Sequence, residues 1–376
     1  MHTPGLTRPR LYWCAVAALG LLVALGIAAY SRQLASGMQI TGLSRDIAWG
    51  LYISQFTFLV GVAASAVMVV LPYYLHGFEA FGKLTVIAEF LAVAALLMCL
   101  LFVFVDMGRP ARVLNVLLNP SPGSLMFWDL LVLAGYLLLN LVLLRTTLVA
   151  DRYGVPLPAW VRSLVYISIP WAFGIHTVTA LLYAGLSAKP AWMTAILAPR
   201  FLASAFASGP ALLIILALIL RWTTRIHVEA IDKLGEIVAY AMTANVLFTA
   251  LEMFTALYSG IPDEAEHFEY LFVGFLAPWA WASTFLAIVA LAILLVPKAR
   301  RNAMLLAVAC LAVVGSVWID KGLCMIVAGF APTPLGDVTE YWPTLPEISI
   351  AAGIYAAGSL VLLVPGRWVL ARREQQ

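Results

Sequence analysis

The sequence predicts an all-α, polytopic membrane protein of about ten transmembrane helices, and three observations carry that prediction. Hydrophobic residues make up 63% of the 376 positions and charged residues 11%, with a mean hydropathy of +0.97, whereas soluble chains carry about 25% charged residues. Apolar runs near the roughly 20 residues that cross a bilayer recur ten times, at about 11–30, 50–75, 84–105, 127–144, 164–186, 202–220, 236–259, 270–296, 302–319 and 346–366. Of the 22 Lys and Arg residues, 15 fall on the side of the termini and 7 on the other. Basic residues stay on the cytoplasmic side, so both termini are expected in the cytoplasm of a cell with this protein in its inner membrane. The net charge of +3 is explained by these loops and implies no nucleic acid.

The first run is too long, and too weakly followed by a small-residue cleavage site, to read as a signal peptide, so it counts as span 1. It holds no ionisable residue and reads as peripheral packing or an anchor. Span 2 opens with Trp49 and repeats small residues at Thr57, Gly61 and Ser65, a face on which another helix can approach closely. Gln55 near its outer end is open to two readings, a hydrogen bond to a neighbouring helix or a ligand contact. Span 3 carries Glu89 about a turn in, where an ionisable side chain is costly unless paired or wet, or where it snorkels to the surface. Asp106 and Arg109 follow at its outer end, close enough in sequence to pair.

Asp129, Tyr136 and Asn140 lie along one face of span 4 at i, i+7 and i+11. A carboxylate, a phenol and an amide on one stripe should face the bundle interior, although Asp129 also suits a helix N-cap. Span 5 has a histidine deep in an apolar run, His176, with Thr179 and Tyr183 on the same face. An imidazole there can donate, accept or titrate near working pH. Span 6 is interrupted by Ser208-Gly209-Pro210, a predicted kink. In span 7 Glu252 lies well inside, a candidate for proton movement or for pairing between helices. Span 8 contributes an aromatic belt, and span 9 is expected to end at Trp318, Asp320 and Lys321, with an external, Pro-rich and aromatic segment after it. The external loops 31–47, 106–126, 187–201, 260–269 and 320–345 read either as solvated caps or as a docking face, one of them carrying four carboxylates in PDEAEHFE.

Cys14, Cys99, Cys310 and Cys324 form neither a CxxC nor a haem-attachment motif, and only His176 among the histidines lies within a span. No haem, iron-sulfur cluster or other metal site is therefore expected. No nucleotide loop or nucleophile signature occurs in a credible context. Buried acids, a histidine and tyrosines suit a quinone, whose two carbonyls need hydrogen-bond partners and protons while a partner's cofactor supplies or takes electrons.

The stretches WGLYISQFTFLVGVAAS, VDMGRPARVLNVLLNP, SPGSLMFWD, PWAFGIHTVTALLY and DKGLCMIVAGFAPTPLGDVTEYWPTLPEI resemble the NrfD/PsrC family of membrane quinone-interacting subunits, from about residue 41 to 365. Within it, the pattern is most similar to the ten-span DsrP branch of sulfur-metabolism complexes, with the HybB hydrogenase branch a close rival. The resemblance implies two four-helix bundles plus peripheral helices: 1–40 as an N-terminal span and loop, 41–187 as the quinone-bearing bundle of spans 2–5, 188–330 as a second bundle, and 331–376 as an external loop and last span. It also implies a menaquinone or ubiquinone site near the outer surface, lined by Trp49, Gln55, Asp129, Tyr136, His176 and Tyr183. His176 and Asp129 would be the catalytic pair, and Glu89, Asp106 and Glu252 a proton path. A ferredoxin-like iron-sulfur subunit is the expected partner on the external, periplasmic face, with a multihaem cytochrome c and further redox subunits beyond it. Two other functions remain open on the residues alone, a proton or ion translocator and a structural anchor for peripheral redox subunits.

Overall fold

The computed structural model of the protein describes residues 9–76, 78–220, 227–330 and 338–373; His2, the basic residues of 221–226 and part of the late external segment, 331–337, lie outside them. The described residues are mostly helical, with no strand among them, and ten helices are long and apolar enough to cross a membrane. They are α1 (Pro9–Ser36), α2 (Leu51–Ala63, resuming as Ser65–His76), α3 (Gly82–Asp106), α4 (Leu125–Tyr153), α5 (Ala159–Ala184), α6 (Leu197–Leu220), α7 (Val228–Ser259), α8 (Ala277–Leu294), α9 (Ala303–Val317, extended below) and α10 (Leu345–Arg373). With ten such helices crossing in alternation, the start of α1 and the end of α10 lie at one end of the bundle and the long connections at the other, here called the loop-rich end.

Two boundaries differ from the sequence reading in ways that matter. α6 starts at Leu197 and so contains Arg200, which the sequence reading places in a loop. α9 continues past residue 319 through a π-helical segment, Trp318–Cys324, into a last turn at Met325–Ala328, so that Asp320 and Lys321 lie inside the span. Charge made both positions look like the ends of spans; in the fold their partners come from other helices. The connection after α7 is itself helical, Pro262–Phe272, with Pro at the first turn where a missing N–H costs nothing.

α2 is buried along nearly its whole length and is the pivot of the packing, touching α3, α6 and the π segment of α9. Ser54 and Thr57 return their hydroxyls to the backbone of the same stretch, to the Gly50 carbonyl at 2.9 Å and the Ile53 carbonyl at 2.7 Å, and the Tyr52 hydroxyl donates to Gln33 of α1 at 2.7 Å, so no donor is wasted in an apolar setting. α6 packs against α7, α9 and α5, and α8 against α9 and α7. α6 runs unbroken through Pro210, and Ser208 donates to the Ser204 carbonyl at 2.8 Å.

α1 is mostly exposed and is held through α10. The two helices meet at Gly26 and Gly353, where a methyl group added to either would come within 2.9 Å or 2.8 Å of the other's Cα. Close backbone approach of this kind replaces the hydrophobic drive that lipid removes. At the loop-rich end, α10 is tied down by fully buried Glu347, which accepts from the Gly42 amide at 2.7 Å, the Thr344 amide at 2.8 Å and the Tyr341 hydroxyl at 2.7 Å. Tyr341 in turn accepts from the Leu51 amide at 2.8 Å, securing the first turn of α2; burial and the neighbouring Glu347 raise the Tyr341 phenol above its ordinary range.

Gly353→Leu is expected to pry α1 from α10, at a cost of about 1–3 kcal/mol for overpacking, seen as a lower melting temperature in detergent and faster proteolysis between α1 and α2. Glu347→Ala strands three donors and should cost more than about 3 kcal/mol by the same melting assay, each unsatisfied buried group being worth about 1–3 kcal/mol.

Candidate functional site

The face read from span 5 is a face in the structure, and α4 and α2 complete it. Thr179 donates to Asp129 Oδ1 at 2.6 Å, and the Tyr183 and Thr57 hydroxyls share a hydrogen bond of 2.6 Å. Asp129 sits in the first turns of α4, but Ser124 holds the N-cap position, so the carboxylate serves the interior and not the helix end. His176, one turn before Thr179, is completely buried, and neither ring nitrogen has a hydrogen-bond partner. Tyr136 is also completely buried, and its carbonyl accepts from Asn140 Nδ2 at 2.8 Å.

Aromatic rings close this cluster at the loop-rich end. Trp49, half-buried, stacks on Trp192 with ring centres 5.8 Å apart and meets Tyr183 and Phe330 edge-on. Trp192, contributed by the α5–α6 connection, donates to the Met325 carbonyl at 3.0 Å and lies flat against Gly329, where any side chain would collide with the indole. Lys189 caps the plug, its ammonium 4.3 Å from the centre of the Phe330 ring; partial burial draws its pKa down.

The other sequence candidates fall elsewhere. Gln55 turns towards α9 and α10, its oxygen accepting from Trp318 Nε1 at 2.7 Å and from the Tyr355 hydroxyl at 2.6 Å, while its Nε2 is unpartnered. Asp106 makes no ion pair with Arg109: Arg109 is exposed, while one oxygen of Asp106 is buried and unpaired. The turn after α3 at Met107–Pro110 carries the guanidinium away from the bundle. Glu89 does not snorkel; it is 2% exposed and accepts from Thr147 at 3.3 Å, at the end of α3 remote from Asp129. Glu252 is ion-paired between helices, with Arg200 of α6, which also grips both oxygens of Asp320 at 2.8 Å and 2.9 Å.

Arg200 and Trp192 are the residues the sequence reading missed, while Lys321, read with Asp320 at the end of span 9, lies inside it. Lys321 is 3% exposed, its ammonium without a hydrogen bond and 4.0 Å from the centre of the Phe201 ring. A methyl group on Gly61 would stand 3.6 Å from that nitrogen. The usable signal was Glu252 itself, since a carboxylate deep in a span demands a counter-charge. Among the described residues no three His, Cys, Asp or Glu side chains group closely enough to hold a metal ion.

Ten spanning helices around buried, partly unsatisfied polar groups define a multi-pass membrane protein with an internal polar site. The chain belongs to the polysulphide reductase, NrfD family, whose pattern covers residues 39–330. It is 26% identical to a putative dimethyl sulfoxide reductase membrane subunit of Halobacterium salinarum, over 94% of this chain and 90% of that protein. It is 24% identical to a selenate reductase subunit of Mesobacillus selenatarsenatis, over 92% and 90%. The Hdr-like menaquinol oxidoreductase integral membrane subunit of Archaeoglobus fulgidus is 24% identical over 69% of this chain and 64% of that protein.

Arg200→Leu is expected to destabilise the protein by about 3–5 kcal/mol, the cost of leaving buried charge uncompensated, whereas Glu252→Gln, which leaves Arg200 on Asp320, should cost markedly less. Thermal unfolding of the two purified variants compares them directly.

Proposed function

We propose that the protein is the quinone-interacting membrane subunit of a redox complex, exchanging electrons between the quinone pool and an iron-sulfur subunit seated on the loop-rich face. The observation that carries this reading is His176: an imidazole buried at the heart of the chain with both nitrogens unpartnered, one turn from the Thr179–Asp129 hydrogen bond. An unsatisfied buried group costs about 1–3 kcal/mol, and a ring carbonyl or hydroxyl is the kind of partner it lacks. A bound quinone or quinol supplies the two-electron chemistry. His176 donates or accepts a hydrogen bond at the ring oxygen, Asp129 holds or takes up the proton, and Thr179 keeps the carboxylate in place. Because His176 is fully buried, a ring reaches it only when the Trp49–Trp192 stack parts, which also excludes water once it closes.

The α2–α5 half, 41–187, is the quinone-bearing bundle in this reading and 188–330 its counterpart. The basic excess of 15 among 22 Lys and Arg sets the termini in the cytoplasm of an inner-membrane protein, and the loop-rich face, with the exposed carboxylates Glu266 and Glu269, is the external docking face for the partner. Relatives named for menaquinol oxidation, dimethyl sulfoxide reduction and selenate reduction support a terminal partner that differs between complexes; sulfur chemistry of the DsrP kind is the version proposed here.

His176→Ala and Asp129→Asn are each expected to lower quinol turnover of the intact complex by at least about 100-fold, the scale of a lost general acid or base, with the partner subunits still bound. Unchanged quinol affinity and turnover in both variants would remove the site.

A further inference from the structure

A second site lies in the other half of the molecule. The helices α6, α7, α8 and α9, with the helical connection Pro262–Phe272 and Trp192, line a cavity of about 360 Å³, within the range of about 300–1,000 Å³ typical of small-molecule sites. Its walls are mainly apolar, and it is lined by Trp281 and Ile288 of α8, which are 59% and 61% exposed on the outer surface of the helix bundle. That is a sideways route from the bilayer, not a path from water.

The polar groups in this cavity are largely satisfied from within. Thr249 donates to the Asn245 carbonyl at 3.1 Å and Ser283 to the Ser316 carbonyl at 2.9 Å. Two acceptors are left over. Asn245, 4% exposed, has its side-chain oxygen buried without a partner. Arg200 engages only Oε2 of Glu252, so that the other carboxylate oxygen has no hydrogen bond among the described residues. The two side chains leave α7 at i and i+7, about 10.5 Å apart along the axis. A six-membered ring with hydroxyls at opposite ends, plus a hydrogen bond of about 2.8 Å at each, spans roughly 11 Å.

We propose that this cavity binds a lipid-soluble hydroquinone entering from the bilayer, with one hydroxyl donating to Asn245 and the other to Glu252. Glu252 offers only an acceptor and so takes a hydroxyl, while the Asn245 amide can accept from or donate to the other ring oxygen; the reduced, hydroxyl-bearing ring is therefore favoured over the quinone at the Glu252 end. A phospholipid acyl chain could fill the apolar walls but would leave both acceptors empty. The site does not rest on the reading made for α2–α5, although Trp192 of the aromatic plug also lines it, and it holds the ring without reacting it.

The test is photolabelling of the intact complex in nanodiscs with a hydroquinone carrying a diazirine-tipped decyl tail, followed by mapping of the labelled peptides. Label is expected in α7 and α8, displaced by decylhydroquinone at a concentration about tenfold lower than by decylquinone, and reduced about tenfold by Asn245→Leu, the loss of one good hydrogen bond. Ala287→Phe, which fills the cavity wall, should abolish the α7–α8 label while the variant still co-purifies with its partner subunits, showing that it is folded. Equal labelling by diazirine-tipped decane, equal displacement by the quinone form, or label unaffected by either substitution overturns the proposal. Loss of label near α5 alone bears on the first site and leaves this one standing.

Discussion

The π-helical turn of α9, Trp318–Cys324, is the constraint on which the arrangement of polar groups depends. Consecutive residues of a helix point in different directions, and here three of four successive side chains are sent to three different neighbours. Trp318 reaches Gln55 of α2, Asp320 reaches Arg200 of α6, and Lys321 crosses to the Phe201 ring beside Gly61. A π turn widens the helix and frees backbone groups, a cost that persists at functional positions. In this chain it lets one short segment serve the interiors of both halves. Gly322 makes the close approach possible, since a Cβ there would stand 3.1 Å from the Ser54 carbonyl oxygen.

The bundle as a whole is held by devices that do not need water. Lipid offers no hydrophobic drive between helices, so contacts depend on glycine surfaces, as at Gly26 and Gly353, and on acceptors that gather several donors. Gln55 and Glu347 are two such hubs. One collects Trp318 and Tyr355, the other Gly42, Tyr341 and Thr344. Each replaces what solvent would do for a polar group in a soluble core, and each ties α10 to a helix far from it in sequence.

How much of this could be read from the sequence follows from whether a signal is local. The ten spans were legible because hydropathy over a run of about 20 residues is a property of the run itself. The face shared by Asp129, Tyr136 and Asn140, and that of His176, Thr179 and Tyr183, were legible because helical periodicity fixes which residues stand above one another. What the sequence could not show is partnership across helices. Arg200 and Asp320 looked like span ends because each, taken alone, is too costly to bury; their mutual ion pair, joined by Glu252 on a third helix, makes the burial tolerable. Gln55 looked equally suited to a ligand and to a neighbour, and the choice was made by Trp318 and Tyr355, about 260 and 300 residues away. Trp192 gave no signal, because a tryptophan in a connection reads as interface until Gly329 is seen to leave room for it.

The two halves differ in a way that follows from their chemistry. Around His176 the polar contacts lie among fully buried groups, behind stacked indoles, with no ion pair among the described residues: an enclosure that strengthens electrostatic interactions and keeps protons from leaking to water. Around Glu252 an arginine bridges two carboxylates beside a cavity that opens sideways to the membrane. In the proposed reading the enclosed site commits a ring to reaction because it must open to admit one, while the open cavity holds and releases a ring without isolating it; reaction and exchange make opposite demands on solvent access. The turn of α9 lies between them, presenting an acid to the open side and an amine to the closed one.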